Sequence, residues 1–352
     1  MQLKILENMK KVAFLILTNV IGGHELQAVE LVKLSKKYCL PTVFLNNEEH
    51  RSLFSDGCAD IVVFEKPFFR KGQLPVQITD GFRNMWKHRK NFQKYDQIVV
   101  CAGTLEAGVS AGIALFGRPV DIYLPMFVDR TSIWTSLGIL YNCLARACLL
   151  LFDRIITINK IQAKMLSSKP NTIILPNFVR LGTRARIDSP RSNKLFFIGR
   201  FDDQKKLPEM LMWLDQKPSG FNEMILIGDG PRRGEIEKVI SGLRNLRVTC
   251  TGWLDKADQE TMIQPSDILI MNSAYEGEPL VIREANERGN IVIVRDIPGV
   301  RGCTFKMNRF KSPEHLHRLL VAASCRNLSP YKKLNVTSLE VRRENAAKKL
   351  FL

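Results

Sequence analysis

The sequence of 352 residues lacks most of the short motifs that identify metal-dependent or nucleotide-binding sites. No two aspartates are spaced as D-x-D, a common way to hold Mg²⁺ or Mn²⁺. Neither H-E-x-x-H nor a cluster among the five histidines indicates zinc. The G-x-G-x-x-G and Walker A patterns are also missing. We therefore predict no metal site, and we expect arginine, lysine and backbone amides to hold any bound phosphate.

The cysteines indicate a protein of the reducing cytosol, and the apolar segments are too short for a membrane-spanning protein. None of the eight cysteines forms a C-x-x-C pair, and several lie in apolar runs, which is typical of buried thiols in a reducing cytosol. The most apolar segment, "LGILYNCLARACLLLF" (137–152), contains Asn142 and Arg146 and is shorter than the ~20 residues that a membrane span needs. We expect a cytoplasmic protein, with a peripheral position on the inner face of the plasma membrane left open.

Acidic residues are few relative to basic ones. The 52 lysines and arginines face 35 acidic residues, which gives a formal net charge of +17. Such a surplus implies an anionic partner: nucleic acid, an acidic membrane or a phosphorylated substrate. Because the basic residues are spread along the chain and no zinc-finger, RNP or helix-turn-helix signature is present, we expect no nucleic acid partner.

Short apolar runs alternate with helical patterns in two series. The first series of predicted strands covers 12–17, 42–46, 60–64, 97–103, 121–127 and 154–158; the second covers 194–200, 223–230, 246–252, 267–272 and 290–294. Continuous apolar strands separated by helices predict parallel βαβ units. The segment 175–194, rich in Pro, Gly, Ser and Arg, separates the two series and predicts a linker.

The predicted fold class is α/β, with two tandem Rossmann-like, doubly wound domains facing each other across a cleft. We place the N-terminal, acceptor-binding domain at 1–185 and the C-terminal, nucleotide-binding domain at 186–330. A C-terminal helix over 331–352 either packs back on the N-terminal domain or frays. In such sheets ligands bind beyond the carboxyl ends of the strands.

Three strand-end loops are candidate anion sites. Gly22 and Gly23 lie between a strand and a helix, where a backbone approaches phosphate closely, although a plain tight turn explains them as well. In "IGRFDDQKK" (198–206), Arg200 and Lys205 follow a strand and could clamp a diphosphate, or could be solvated charge beside two aspartates. "IGDGP" (227–231) is first of all a turn at a strand end, and a role in shaping a nucleotide pocket is the second interpretation.

The fourth candidate is "SAYEGEPLVIREANERG" (273–289). Pro279 suits the first turn of a helix and Gly289 suits its C-cap, so the amides around 277–280 open at a helix N-terminus. Glu276 lies in the loop before this helix. Glu284 lies about 8 Å further along the helix axis, measured from Pro279.

These segments, in this order, resemble family-4 glycosyltransferases of the GT-B fold. The resemblance rests on "FFIGRFDDQKK" (196–206), "ILIGDGP" (225–231), "TGWLDK" (251–256) and the stretch 265–294, which contains the E-x7-E pair of Glu276 and Glu284. It is weaker in the N-terminal half, at "GGHE" (22–25) and "ILPNFV" (174–179). The family often has a histidine near the sugar, but "CAGTLEAGVS" (101–110) contains none.

The resemblance implies a retaining hexosyltransferase that moves a sugar from a UDP- or GDP-linked donor to an acceptor hydroxyl, without a metal ion or other cofactor. Carried over by position, Arg200 and Lys205 would neutralise the leaving diphosphate and Glu276 would contact the donor sugar. Donor binding would involve the same two cations together with Gly22, Gly23, Gly277, Glu278, Leu280 and Glu284, the last on the ribose. Pro279 has no N–H and removes one donor from this set.

The implied role is in bacterial surface polysaccharide synthesis: lipopolysaccharide, O-antigen or capsule. The acceptor would then be a glycan or a lipid-linked glycan. The segments 65–75 and 81–94 mix aromatic with basic residues, which indicates either contact with an anionic membrane surface or core aromatics beneath a solvated basic face. Two alternatives stay open: another GT-B enzyme, such as a sugar-nucleotide epimerase or a phosphorylase, and a non-catalytic polyanion-binding protein.

Overall fold

The computed structural model describes residues 9–18, 22–54, 60–64, 74–103, 105–128, 131–166, 171–179, 194–217, 219–325 and 336–352. The chain divides into two compact units. Unit 1 contains residues 1–178 and 336–352, and unit 2 contains 179–335. The division lies within the predicted linker, seven residues before the boundary expected at 185/186, and residues 180–193 of that linker are outside the described residues.

Unit 1 is built on a parallel sheet of seven strands in the order β3-β2-β1-β4-β5-β6-β7. Its strands are β1 (Lys11–Ile16), β2 (Leu40–Leu45), β3 (Asp60–Val63), β4 (Gln97–Cys101), β5 (Val120–Tyr123), β6 (Arg154–Thr157) and β7 (Thr172–Ile174). The central strands are buried on both faces, which explains why they are continuous apolar runs rather than alternating ones.

Helices cover both faces of this sheet. They are α1 (Gly23–Ser35), α2 (Leu74–His88), α3 (Leu105–Ala114), α4 (Thr131–Cys148) and α5 (Lys160–Leu166). Side chains from α2, α3, α4 and α5 share one hydrophobic core on one face, while α1 contributes to a second core on the other. Unit 1 is therefore doubly wound, as predicted.

Unit 2 repeats the scheme with six parallel strands in the order β10-β9-β8-β11-β12-β13. These are β8 (Lys194–Ile198), β9 (Glu223–Ile227), β10 (Arg247–Gly252), β11 (Ile268–Met271), β12 (Ile291–Arg295) and β13 (Arg309–Phe310). Its helices are α6 (Leu207–Gln216), α7 (Arg233–Gly242), α8 (Lys256–Met262), α9 (Leu280–Arg288) and α10 (Pro313–Ser324).

The last helix, α11 (Val336–Phe351), belongs to unit 1. It packs against α1 and β7, burying Ala347 and Phe351 in the same core as α1. Glu344 accepts hydrogen bonds from Lys37 and Tyr38, and Arg343 donates to the backbone carbonyls of residues 176 and 177. The helix is thus held at both its apolar and its polar side.

Some expectations need correction. Cys143 is exposed on an outward position of α4 and Cys325 is exposed at the C-cap of α10, so not every cysteine is a buried thiol. The short strands β7 and β13 were not predicted, since neither forms an apolar run long enough to stand out. Within the described part of the chain, no helix combines the length and apolar character needed to traverse a bilayer.

In each sheet the strand order reverses beside the first strand of the unit. The reversal lies between β1 and β4 in unit 1 and between β8 and β11 in unit 2. Connections that leave neighbouring strands in opposite directions open a crevice at the carboxyl ends of those strands, and ligands of doubly wound sheets bind there. The loops after these four strands are therefore the places to look for a site.

Candidate functional site in the two switch-point loops

The loops after β8 and β11 are joined by hydrogen bonds. The backbone N–H of Ala274 donates to the carbonyl of Gln204 at 2.8 Å, and the Gln204 side-chain amide donates to the carbonyl of Tyr275 at 2.8 Å. Asn272 Nδ2 donates to the carbonyl of Lys206 at 3.3 Å. These bonds fix the segment that carries Lys205 against the segment that carries Glu276.

Lys205 and Glu276 form an ion pair at the centre of these loops. Lys205 Nζ lies 2.6 Å from Glu276 Oε1, and the two side chains retain only 15% and 9% of their exposure. Charges so shielded from water interact more strongly than a surface pair does. Two residues predicted from sequence for the catalytic set are therefore in direct contact.

Arg200 stands at the carboxyl end of β8, as predicted, but its ion pair is with Asp202. Arg200 Nε donates to Asp202 Oδ2 at 2.8 Å, and the arginine side chain remains 48% exposed. Both interpretations of this arginine therefore stand: it is a strand-end cation in the switch-point loop, and a neighbouring aspartate neutralises it. The guanidinium is accessible to an incoming anion.

The glycine loop after β9 supports the segment that carries Arg200. Gly228 has a φ of 143°, and a Cβ at this position would lie 1.9 Å from the carbonyl oxygen of Gly199. A Cβ at Gly230 would lie 2.4 Å from the carbonyl oxygen of Phe201. Only glycine permits this approach. The motif "IGDGP" is thus a turn, as we expected first, and it also positions the loop of residues 199–201.

Helix α9 begins beside Glu276. Leu280 is its first residue, Pro279 is its N-cap, and Gly289 ends it in the left-handed conformation with a φ of 92°. The first N–H groups of a helix have no acceptor within it and carry the positive end of the helix dipole. The N–H of Leu280 therefore belongs to an electropositive helix start, and Gly277 and Glu278 directly precede its N-cap.

The side chain of Glu278 is held in an ion pair within the protein. It forms a buried ion pair with Arg283 one turn into the helix, with 5% of its own side chain exposed. The turn after β12 also packs closely on this loop, because a Cβ at Gly299 would lie 2.0 Å from the carbonyl oxygen of Glu276. Only the backbone of Glu278 fits the role predicted for it.

Glu284 is half-buried on α9, one turn beyond the helix start. Burial lowers the pKa of the Arg288 guanidinium, and the charge of Glu284 acts in the opposite direction by favouring the protonated arginine. Arg288 lies 5.9 Å from the ring of Phe196 and is half-buried. Glu284 therefore also stabilises the charge of Arg288.

Three buried side-chain oxygens in these loops have no hydrogen-bond partner among the described residues: Asp202 Oδ1, Asn272 Oδ1 and Ser273 Oγ. Buried polar atoms are nearly always satisfied, and an exception calls for an explanation such as a ligand or a water. They lie in the same two switch-point loops as the ion pair. The loops therefore offer acceptors and a hydroxyl as well as charge.

The corresponding site in unit 1 includes one residue that sequence reasoning missed. Gly22 is the N-cap of α1, with its N–H donating to the buried Glu25 at 2.8 Å, and Gly23 is exposed at the first helical position. His24 follows directly. A Cβ at Gly103, in the loop after β4, would lie 3.8 Å from His24 Cδ2. The segment 101–110 contains no histidine, but the His24 ring lies close to Gly103 within that segment.

The His24 ring is shielded and largely unsatisfied. It stacks on Tyr123 at 5.4 Å between centroids, and neither ring nitrogen has a hydrogen-bond partner among the described residues. Burial lowers the pKa of His24, while the charge of Glu25 acts in the opposite direction. The ring is therefore neutral near pH 7. Its position directly after the two glycines was the signal that could have identified it.

Comparison with solved structures defines the class of fold. Anabaena HepE in complex with UDP and glucose aligns with 97% of this chain and 99% of its own, with a TM-score of 0.66 and 18% identity. Sucrose-phosphate synthase from Thermosynechococcus elongatus aligns with 97% of this chain and 95% of its own, with a TM-score of 0.67 and 15% identity. At these identities the likeness shows the fold, and the fold is GT-B.

Sequence comparison is more specific for unit 2. Residues 183–306 match the family described as "Glycosyl transferases group 1". A segment of 80 residues is 34% identical to alpha-D-kanosaminyltransferase from Streptomyces kanamyceticus. That match spans 22% of this chain and 20% of that protein. Most of unit 2, including the loops that carry Lys205, Glu276 and α9, thus carries the sequence pattern of group 1 glycosyltransferases.

Proposed function

We propose that the protein is a retaining glycosyltransferase that transfers a hexose from a nucleotide-sugar donor to an acceptor hydroxyl. The observation that carries this proposal is the contact between Lys205 and Glu276 in the switch-point loops of unit 2. It places a cation and a carboxylate side by side in the segment that matches the glycosyltransferase family. The HepE and kanosaminyltransferase likenesses support the same reaction class.

The chemistry of glycosyl transfer needs this combination of charges. When the bond between the anomeric carbon and the diphosphate oxygen breaks, its electrons leave with the diphosphate and positive charge develops on the sugar ring. A preplaced cation such as Lys205 stabilises the first charge. A carboxylate such as Glu276 stabilises the second, as carboxylates do in oxocarbenium-like reactions. Arg200, half-exposed beside Asp202, is the second cation for the diphosphate.

The acceptor hydroxyl then bonds to the anomeric carbon from the face that the diphosphate leaves, so the configuration is retained. Its proton passes to the departing phosphate oxygen, which makes a separate protein base unnecessary. Donor binding is assigned to Glu284 on the ribose and to the amides at Gly277, Glu278 and Leu280 on the phosphate. The phosphate role of Gly22 and Gly23, which lie in unit 1, stays a prediction from the sequence.

Positive charge on the protein takes the place of a metal ion in this proposal. In this proposal Arg200, Lys205 and the start of α9 bind the two phosphate charges, and the diphosphate competes with Asp202 and Glu276 for the two cations. We propose a UDP- or GDP-linked donor and an acceptor that is a glycan or a lipid-linked glycan of a bacterial surface polysaccharide. The formal net charge of +17 supports an anionic surface near the acceptor.

The test is a thermal-shift panel of UDP- and GDP-sugars, each with and without a chelator. We expect at least one donor to raise the unfolding temperature of the protein, and we expect the chelator to leave that rise unchanged. A rise that requires the divalent metal would contradict the metal-independent site. No rise with any nucleotide sugar would contradict the donor-binding proposal itself.

The same panel separates the alternatives. A sugar-nucleotide epimerase would change the sugar of the donor while the sugar stays bound to the nucleotide, and this is visible by NMR without any acceptor. A phosphorylase needs pyridoxal phosphate attached to a lysine, which gives the purified protein an absorbance band. A non-catalytic polyanion binder would bind nucleotide diphosphates and sulfated glycans alike and release no nucleotide.

A further inference from the structure

Helix α4 carries apolar side chains on two opposite faces. Its inner face, with Ala145 and then Leu149, is buried against the sheet of unit 1. Its outer face exposes an apolar stripe at helical spacing, formed by Ile139, Leu140, Cys143, Leu144, Ala147 and, just beyond the helix, Leu150. The outer side of an ordinary surface helix is polar. The stripe therefore indicates a second contact surface.

Apolar side chains are also exposed on α3 and directly after it. Gly112 of α3 packs against the segment that follows α4, since a Cβ there would come within 2.9 Å of the Phe152 ring. Ile113 and Phe116 follow it and are 40% and 77% exposed. With the α4 stripe they form what we call the outer apolar surface: Ile113, Phe116, Ile139, Leu140, Cys143, Leu144, Ala147 and Leu150.

The α4 part of this surface, within residues 138–150, contains one charged residue, Arg146. Its Nε donates to the carbonyl of Met165 at 3.2 Å, and its guanidinium lies 5.9 Å from the ring of Phe127, so it turns inward. Contiguous apolar surfaces of this kind mark interaction sites for proteins or membranes.

Basic residues flank the outer apolar surface. Helix α2 packs against α3, and the chain from 81 to 95 contains no acidic residue. Its exposed cations form what we call the basic ridge: Arg83, Lys87, Arg89, Lys90 and Lys94. Trp86 is 48% exposed on the same helix, with Arg89 stacked 4.1 Å from its ring centre. This combination of Trp and cations is typical of residues at a membrane interface.

We propose that the outer apolar surface and the basic ridge dock unit 1 onto an anionic lipid bilayer. The apolar side chains would enter the boundary between headgroups and acyl chains, and the ridge would bind lipid phosphates. Charge argues against a second copy of the chain as the occupant, because pairing through this surface would bring two chains of net charge +17 together. The proposal rests on unit 1 alone and not on the transfer reaction.

The basic ridge and the outer apolar surface predict different effects of salt on partitioning onto the bilayer. Each ridge cation near an anionic surface should change partitioning by roughly fivefold at low salt, and added salt should remove that contribution. The apolar part should be insensitive to salt. Binding of the protein to vesicles should therefore fall steeply when salt is added or when neutral lipid replaces anionic lipid. It should be lost when charged residues replace the apolar residues of the stripe.

The experiment is flotation of the full chain with phosphatidylglycerol-containing vesicles and with pure phosphatidylcholine vesicles, at low and high salt. The variants are Leu140→Glu/Leu144→Glu on the stripe and Lys87→Gln/Lys90→Gln on the ridge. Matched controls lie on α11, at the other face of the same sheet: Val341→Glu, which is 54% exposed, and Lys348→Gln/Lys349→Gln. Circular dichroism confirms that each variant folds.

We expect wild type and both controls to float with the anionic vesicles at low salt. The stripe variant should lose at least tenfold in partitioning, and the ridge variant should lose roughly twentyfold at low salt and much less at high salt. Equal partitioning of the stripe variant and wild type would overturn the proposal. So would equal losses in the α11 controls, or light scattering that shows a wild-type dimer which the stripe variant dissociates.

Discussion

Replacing Glu276 by Gln tests how the ion pair with Lys205 works. The carboxylate lies 2.6 Å from the ammonium, which corresponds to a gross attraction of about 6 kcal/mol at an effective dielectric constant of about 20. Desolvation offsets most of this. Breaking a fully buried pair costs about 3–5 kcal/mol and an exposed one less than about 1 kcal/mol. With side chains 15% and 9% exposed, we expect a loss of about 2 kcal/mol.

A loss of that size should lower the unfolding temperature by about 4–8 °C for a unit of this length. UDP should then raise the unfolding temperature of Glu276→Gln by more than it raises that of wild type. The reason is that Lys205 in the variant has no competing carboxylate and the diphosphate supplies the missing negative charge. Differential scanning fluorimetry with and without UDP measures both effects.

The control is Glu209→Gln, which breaks the neighbouring pair with Lys206. That pair is 3.5 Å long and its side chains are 39% and 44% exposed, so its loss should change stability by less than about 1 kcal/mol and leave the UDP response unchanged. An equal or smaller UDP response in Glu276→Gln than in wild type would refute the assignment of Lys205 to the diphosphate.

Three further variants test the parts around the pair. Glu284→Gln should weaken donor binding by roughly tenfold or more in a calorimetric titration, because it removes a charged hydrogen-bond acceptor worth about 1.5–3 kcal/mol, and unchanged affinity would exclude the ribose role. Gly299→Ala should cost about 1–3 kcal/mol in denaturant unfolding, whereas Gly302→Ala, where a Cβ meets open space, should be neutral; equal effects would contradict the close approach to the Glu276 carbonyl. Because burial lowers the pKa of His24 below its ordinary 6.5, the unfolded chain binds a proton there first as the pH falls. Wild type should therefore lose up to about 1.4 kcal/mol per pH unit below 6.5 relative to His24→Asn, and parallel pH profiles would contradict a shielded neutral ring.

Most of the fold could be predicted because its strands are buried on both faces. Runs such as 12–17 and 291–294 have no polar interruption, so their pattern alone indicates central strands of parallel sheets. Strand ends were less accurate. The prediction of 97–103 extends past Cys101 because Ala102 is buried in the loop and continues the apolar run. The two-residue strand β13 has too little pattern to be recognised.

The contacts within the site could not be predicted from the residues alone. Lys205 and Glu276 are separated by 71 positions, and they meet only because β8 and β11 are neighbours in the sheet. Sequence reasoning named both residues but gave them separate tasks and no contact. His24 was missed for the same reason, because its surroundings come from strands β1, β4 and β5, which are neighbours only in the sheet.

The central claim is that unit 2 breaks the bond between a sugar and a nucleoside diphosphate. The most direct measurement is release of UDP or GDP from the donor that gives a thermal shift, with a membrane extract as acceptor and the product anomer assigned by NMR. We predict release with a product of the same anomeric configuration as the donor, and a loss of about 10²–10³-fold in turnover for Lys205→Met but not for Lys206→Met. Release that is equally fast in Lys205→Met, or a product of inverted configuration, would contradict the account.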